Sequence, residues 1–216
     1  MMIQIVYTSL FLCGFLLILW ACETLHKRWG VRAEYTRKTG HAASSIASIA
    51  LIFLIDSHWY VLVLGILLFF LLYTGKRKNL FKSIDGVPRK TSGSYLLPVA
   101  IYLMFLFAEL ASSRLIFILP LLILGISDTL AGLANGWIRS DSPKSGKTLY
   151  GSAAFFISAM LISWITLHLS GYNLNMQIRT TLALALISTI AERYSHKGFD
   201  NLTVPLASGI VLWIFL

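Results

Sequence analysis

The sequence predicts an all-α, polytopic integral membrane bundle of about eight transmembrane helices, forming a single domain over residues 1–216. Three observations carry that expectation. The chain is 57% hydrophobic and 12% charged, with a mean hydropathy of +0.76, which is too apolar for an ordinary water-soluble domain. Apolar runs near the roughly 20 residues that cross a hydrocarbon core follow one another along the chain. They lack the alternation of barrel strands, so only helices satisfy their backbone in lipid. The third observation is charge. Of the 18 Lys and Arg residues, all but Arg114 and Arg179 fall in alternate loops, the pattern that cytoplasmic loops show. Adding or removing one span would exchange the sides of every later loop, so this segregation supports the span count.

The first span, 3–21, lacks a basic leading region and a small-residue cleavage pattern, so it reads as a retained helix rather than a signal peptide. Cys13 and Cys22 lie in it or at its end and show no disulfide or metal spacing, which makes them packing residues. A basic loop follows with Lys27, Arg28, Arg32, Arg37 and Lys38. The second span, 42–55, is short, and Ser44, Ser45 and Ser48 continue the face of His41 at its mouth. The third span, 59–74, leads to a loop with Lys76, Arg77, Lys78, Lys82, Arg89 and Lys90. Spans four and five, 94–111 and 115–136, are followed by a loop holding Arg139, Lys144 and Lys147. Spans 152–169, 178–191 and 202–216 complete the count, with Arg193 and Lys197 between the last two. On this parse both termini face away from the cytoplasm. The net charge of +9 then follows from topology and anionic headgroups, and needs no nucleic acid.

The fifth span reads "LLILGISDTLAGLANGWI" over 121–138 and contains Asp128. Counted from Leu115 at 1.5 Å per residue, the carboxylate lies about 20 Å along the helix, inside the bilayer. Intramembrane acids face a bundle interior or a wet cavity and mark sites. Gly125, Gly132 and Gly136, with Ala131 and Asn135, surround it at helical spacing. Such a small-residue face serves a close helix contact or leaves room for a ligand.

The loop "SDSPKSGKTLYGS" (140–152) brings Lys144, Lys147, Gly151 and Ser152 together before the next helix. Glycines, lysines and a helix N-terminus suit a phosphate group. Two further clusters, "RKTGH" (37–41) with Arg37, Lys38 and His41, and "RKTSGSY" (89–95) with Arg89 and Lys90, repeat the theme. Each taken singly also has the composition of a positive-inside anchor. Near the C-terminus, "ERYSHKGFDNLTVP" (192–205) offers Glu192, Asp200 and Asn201, oxygen donors of the kind magnesium prefers. His196 reads as an exposed loop residue, because no second histidine or cysteine stands at zinc spacing.

Five stretches in order, "EYTRKTGH", "RKTSGSYLLP", "SDTLAGLANG", "KTLYGSAAFF" and "GFDNLTVPLASG", resemble the polytopic CTP-dependent lipid kinases, the family of dolichol kinase, phytol kinase and fungal-type diacylglycerol kinase. The likeness covers most of the chain after the first span. It implies transfer of a terminal phosphoryl group from a nucleoside triphosphate, usually CTP, to the hydroxyl of a membrane lipid alcohol, with magnesium as cofactor. By resemblance Asp128 and Asp200 with Asn201 would be metal or catalytic positions, and Lys147, Gly151 and Ser152 match the family's phosphate-loop element. The chemistry of the clusters adds Lys147 to the catalytic residues with Asp128 and Asp200, and Glu192 to the metal donors Asp128, Asp200 and Asn201. Arg37, Lys38, His41, Arg89, Lys90, Lys144, Lys147, Gly151 and Ser152 would bind nucleotide phosphates. Ser127 stands where a glycine commonly precedes the aspartate, and Tyr150 where an acid often precedes the Gly-Ser pair. The expected site faces the cytoplasm. Two other readings fit parts of the pattern: a CTP:phosphatidate cytidylyltransferase, and a small cation- or proton-coupled transporter in which Asp128 relays charge. "HKGFDNLT" lacks the second glycine and the arginine of the cytidylyltransferase signature, and no paired charges cross the midplane.

Overall fold

A computed structural model describes residues 1–87, 91–138 and 147–216, with backbone only at 137 and 138. The described residues form helices and no strand. Helix α1 (Met2–Trp29) ends where Gly30 adopts a left-handed conformation and its N–H caps Leu25 O. His26, Lys27 and Arg28 occupy the last turn, where cations complement the helix dipole. α2 (Ala33–Ser48) and the single turn α3 (Leu51–Leu54) return alongside α1. Their far end is tied to the start of α1, where Gln4 Nε2 donates to Asp56 Oδ2 at 2.5 Å. α4 (His58–Arg77), the short α5 (Lys82–Asp85) and α6 (Gly93–Leu110) follow.

The expected fifth span is a composite. α7 (Leu115–Leu122) passes through a π-helical turn, Ile123–Ser127, into α8 (Asp128–Ile138). This segment is the hub of the bundle. Phe117, Leu119, Leu121, Ile123 and Leu124 are all fully buried. α9 (Leu149–Leu169), α10 (Leu174–Tyr194) and α11 (Asp200–Phe215) close the structure.

Among the described residues, six helical stretches are long and apolar enough to cross a membrane: Met2–Trp29, His58–Arg77, Gly93–Leu110, Leu115–Gly136, Leu149–Leu169 and Leu174–Tyr194. The second and eighth of the expected spans are not among them. The second breaks after Ser48 and resumes for one turn only, and α2 carries Glu34, Arg37, Lys38 and His41. The eighth is apolar but its 16 residues rise only about 24 Å, short of a core about 30 Å thick. α11 nevertheless runs beside α6 for nearly its full length: Asn201 Nδ2 donates to Gly93 O at 2.7 Å, and the Phe107 and Trp213 rings meet at a tilt, centroids 4.7 Å apart, near the other end.

Between helices in lipid, association depends on close packing rather than on removing apolar surface from water. Small residues accordingly sit at the tight crossings. A Cβ on Gly125 would lie 2.9 Å from Ser45 Cβ, and one on Gly209 would lie 3.1 Å from Met104 Cε. The outer surface carries large apolar side chains, among them Leu17, Trp20, Trp59, Phe70 and Ile165, as a lipid-facing exterior requires. Of the described lysines and arginines, only Arg114 and Arg179 lie at the end where α3 meets α4 and α9 meets α10. The others gather at the opposite end, which also holds the polar cluster described next.

Candidate active site

Asp128 owes its position to the π-helical turn before it. A π turn inserts one residue into the helical register and so re-aims whatever follows. Here it follows Pro120, whose ring removes a backbone donor from the helix. Asp128 is only 5% exposed, and its Oδ2 accepts a hydrogen bond from Lys38 Nζ. The same ammonium donates to Asp128 O at 3.1 Å. Lys38 reaches across because Gly132 has no side chain: a Cβ there would lie 2.7 Å from Lys38 Cε. The small-residue face around Asp128 therefore makes room for a lysine at Gly132 and for helix α2 at Gly125.

A second ion-paired group lies nearby. Lys147 Nζ meets Glu192 Oε1 at 2.9 Å and Asp200 Oδ2 at 3.1 Å, and also donates to Glu192 O. Burial works against the Lys147 charge, but Asp200 and Glu192 outweigh it and hold the ammonium above its usual range. Glu192 Oε2 is buried with no hydrogen-bond partner among the described residues. Asn201 spends its amide on Gly93 O, which fixes the start of α11 against α6. On α2, Arg37 donates to Glu34 Oε1 at 3.2 Å, and His41 Nε2 has no partner among the described residues. Burial holds the His41 imidazole down to about 4, Asp128 opposing that shift and Lys38 adding to it, so the ring is neutral near pH 7.

All of these groups except Glu192 and Glu34 border one cavity of about 290 Å³. Arg37, Lys38, His41, Asp128, Lys147 and Asp200 line its polar end. Phe15 and Leu19 of α1, Leu68 and Leu72 of α4, and Leu97 and Ile101 of α6 line the rest. The polar end is what the sequence brought forward from four separate stretches. The apolar arm carries no motif, and its residues were legible only as parts of spans. Ser195, His196 and Lys197 also border the cavity. Their loop is pressed against α6 by Gly198, whose φ of +87° and contact with Gly93 exclude a side chain. That glycine was the available signal for the loop's role.

Other expected residues lie elsewhere. Gly151 and Ser152 are not on the cavity wall. Thr148 caps α9 by accepting from Gly151 N at 3.0 Å, and a Cβ on Gly151 would fall within 2.5 Å of the Asn135 amide. Ser152 Oγ accepts from Arg193 at 3.3 Å. Ser45 packs on Gly125, so among the α2 serines only Ser44 borders the cavity. Arg89, Lys90 and Lys144 lie outside the described residues.

Among the described residues no three His, Cys, Asp or Glu side chains form a group able to hold a metal ion. The oxygen donors are present, but ammonium groups hold them: Lys38 on Asp128, and Lys147 on Glu192 and Asp200. That donor set fits an ion that arrives on a polyphosphate and takes one or two protein carboxylates, which is how magnesium is usually bound. It does not form a cage built from protein ligands alone.

The chain is similar to an uncharacterized protein of Rickettsia prowazekii (strain Madrid E), 31% identical over 132 residues, which cover 59% of this chain. The matched region spans 63% of that protein's length. No family model matches the chain. No solved structure matches it either.

Proposed function

We propose that the protein is a lipid kinase that transfers the terminal phosphoryl group of a nucleoside triphosphate to the hydroxyl of a membrane lipid alcohol. The donor is CTP by sequence resemblance, and the acceptor is of the phytol, polyprenol, dolichol or diacylglycerol type. One observation carries the reading: a single cavity joins a cluster of cations and carboxylates to an apolar arm. A soluble polyanion and a hydrocarbon chain would meet there without either crossing the bilayer.

Phosphoryl transfer asks a protein mainly to position the reactants and neutralise charge on the moving oxygens. Lys38, Lys147 and Arg37 are the cations at the polar end. On nucleotide binding the two lysines exchange carboxylate for phosphate oxygens, which frees Asp128, Glu192 and Asp200. Asp128, or Asp200 with Asn201 beside it, would hold magnesium, and the ion would supply charge neutralisation on the phosphates. The lipid hydroxyl oxygen attacks the terminal phosphorus, the bond from that phosphorus to the bridging oxygen breaks, and the hydroxyl proton passes to the Asp128 carboxylate. A nucleoside diphosphate leaves. The positive-inside bias of the charges supports a cytoplasmic orientation for this end.

The test uses purified protein with γ-labelled CTP or ATP, magnesium and a panel of phytol, farnesol, polyprenol and diacylglycerol. Label should appear in the lipid fraction and nucleoside diphosphate in the aqueous one. Release of pyrophosphate with phosphatidate as substrate would establish the cytidylyltransferase reading instead, and no labelled lipid with any donor would end the kinase reading.

A further inference from the structure

One aromatic ring stands where the apolar arm meets a second, smaller space. Phe15, on α1, is 9% exposed, and it borders both the main cavity and a separate void of about 10 Å³. Leu68, Pro98 and Ile101 also line both spaces, while Val61, Leu64 and Gly65 bound the void alone. Gly65 contributes no side chain, which leaves space beside Phe15 in this direction. Along α1, Phe15 lies about 10 Å from Cys22, the level at which α1 meets Gly40 of α2. Between these levels the wall is thin. Leu16 lines the cavity yet is 40% exposed on the outer surface, and Leu71 and Leu72 of α4 are also only partly buried.

We propose that Phe15 is a specificity-determining residue for the acceptor: it ends the channel that takes the hydrocarbon chain and turns any longer chain outward between α1 and α4. This rests on the lipid-alcohol reading of the cavity. The chain segment nearest the hydroxyl is then enclosed, and its length is set by the distance from Asp128 to the Phe15 ring. Beyond that point the chain lies in lipid and is not discriminated.

The test measures binding separately from phosphorylation, with the full chain in detergent and linear saturated alcohols from octanol to eicosanol. Affinity, read by thermal stabilisation and by displacement of a fluorescent alcohol, should rise about fourfold for each added methylene that is enclosed, and then level off. Phe15→Ala should move the plateau to longer alcohols, and Phe15→Leu should move it less. Phe15→Trp should move it to shorter ones. Gly65→Ala meets only ordinary contacts, 3.5 Å to Pro98 O and 3.7 Å to Tyr102 Cβ, and in the Phe15→Ala background it should take back part of the gain. If Phe15→Ala does not fold, the Leu and Trp variants carry the comparison. An unmoved plateau in the folded variants overturns the role of Phe15. A moved plateau without labelled lipid upholds it while ending the kinase reading, and labelled lipid with an unmoved plateau does the reverse.

Discussion

At the scale of single residues, the cost of Asp128 in an apolar helix is met by Lys38, which is 9% exposed and itself buried. Breaking a buried pair by removing one partner costs about 3–5 kcal/mol, because the other charge stays behind. Asp128→Asn should therefore lower both thermal stability and activity, the latter by about 10²–10³. Lys38→Met combined with Asp128→Asn should recover most of the stability and none of the activity, as read by melting in detergent and by lipid labelling. Gly132→Ala makes a subtler cut, since its Cβ would meet Lys38 Cε at 2.7 Å. Activity should fall while the helix, freed of a glycine, loses little stability. His41 gives a pH test. Its pKa is lowered to about 4, so the unfolded chain binds the proton more readily. Wild type should lose stability as the pH falls from about 6.5 towards 4, and His41→Gln should lose less over that window. Above it, His41 should give the activity profile no limb.

Among the elements, the π-helical turn Ile123–Ser127 does the most to build the site. Inserting one alanine between Ile126 and Ser127 would add a residue that the π turn does not already absorb and rotate Asp128 by about 100° away from Lys38. The expected result is a folded, monodisperse protein without activity, and inactivity caused only by aggregation would contradict it. The start of α9 has a different role from the phosphate-binding turn its composition resembles. Thr148 accepts from Gly151 N and is itself held by Asn135. Thr148→Ala should cost about 1 kcal/mol as a lost cap, measured by melting, and should weaken nucleotide binding only through the position of Lys147. α2 illustrates a limit of counting spans. Its serines and cations read as the mouth of a helix, yet the chain uses them as an inner wall, with Lys38 and His41 facing the cavity.

For the whole molecule, the bundle places a heavily buried hub inside peripheral helices such as α1, whose outward face is exposed and apolar. It also separates charge, with the cavity's polar end among the cations. That arrangement predicts sidedness. In a variant lacking Cys13 and Cys22, Lys197→Cys should react with an impermeant thiol reagent only from the cytoplasmic side, and Ser112→Cys only from the other. Matching labelling of both positions from one side would refute the orientation.

The membrane-helical class, the separation of charge and the singularity of Asp128 were all determined by the sequence alone. The reason is local: lipid offers no hydrogen-bond partners and penalises charge residue by residue, so length, hydropathy and an isolated acid are legible without knowing any neighbour. The first span and the third to seventh were readable for that reason, whereas α2 and α11, counted as spans from the sequence, are too polar or too short to stand among the long apolar helices and draw their place from the helices they pack against. Only the tertiary structure decided that Lys38 pairs with Asp128, 90 positions away, that Lys147 pairs with Glu192 and Asp200, and that Gly151 serves a cap. It also decided that leucines from α1, α4 and α6 line an apolar arm together with Phe15. Such partners are chosen by the packing of helices distant in sequence, and a leucine facing a cavity is spelled the same way as a leucine facing lipid.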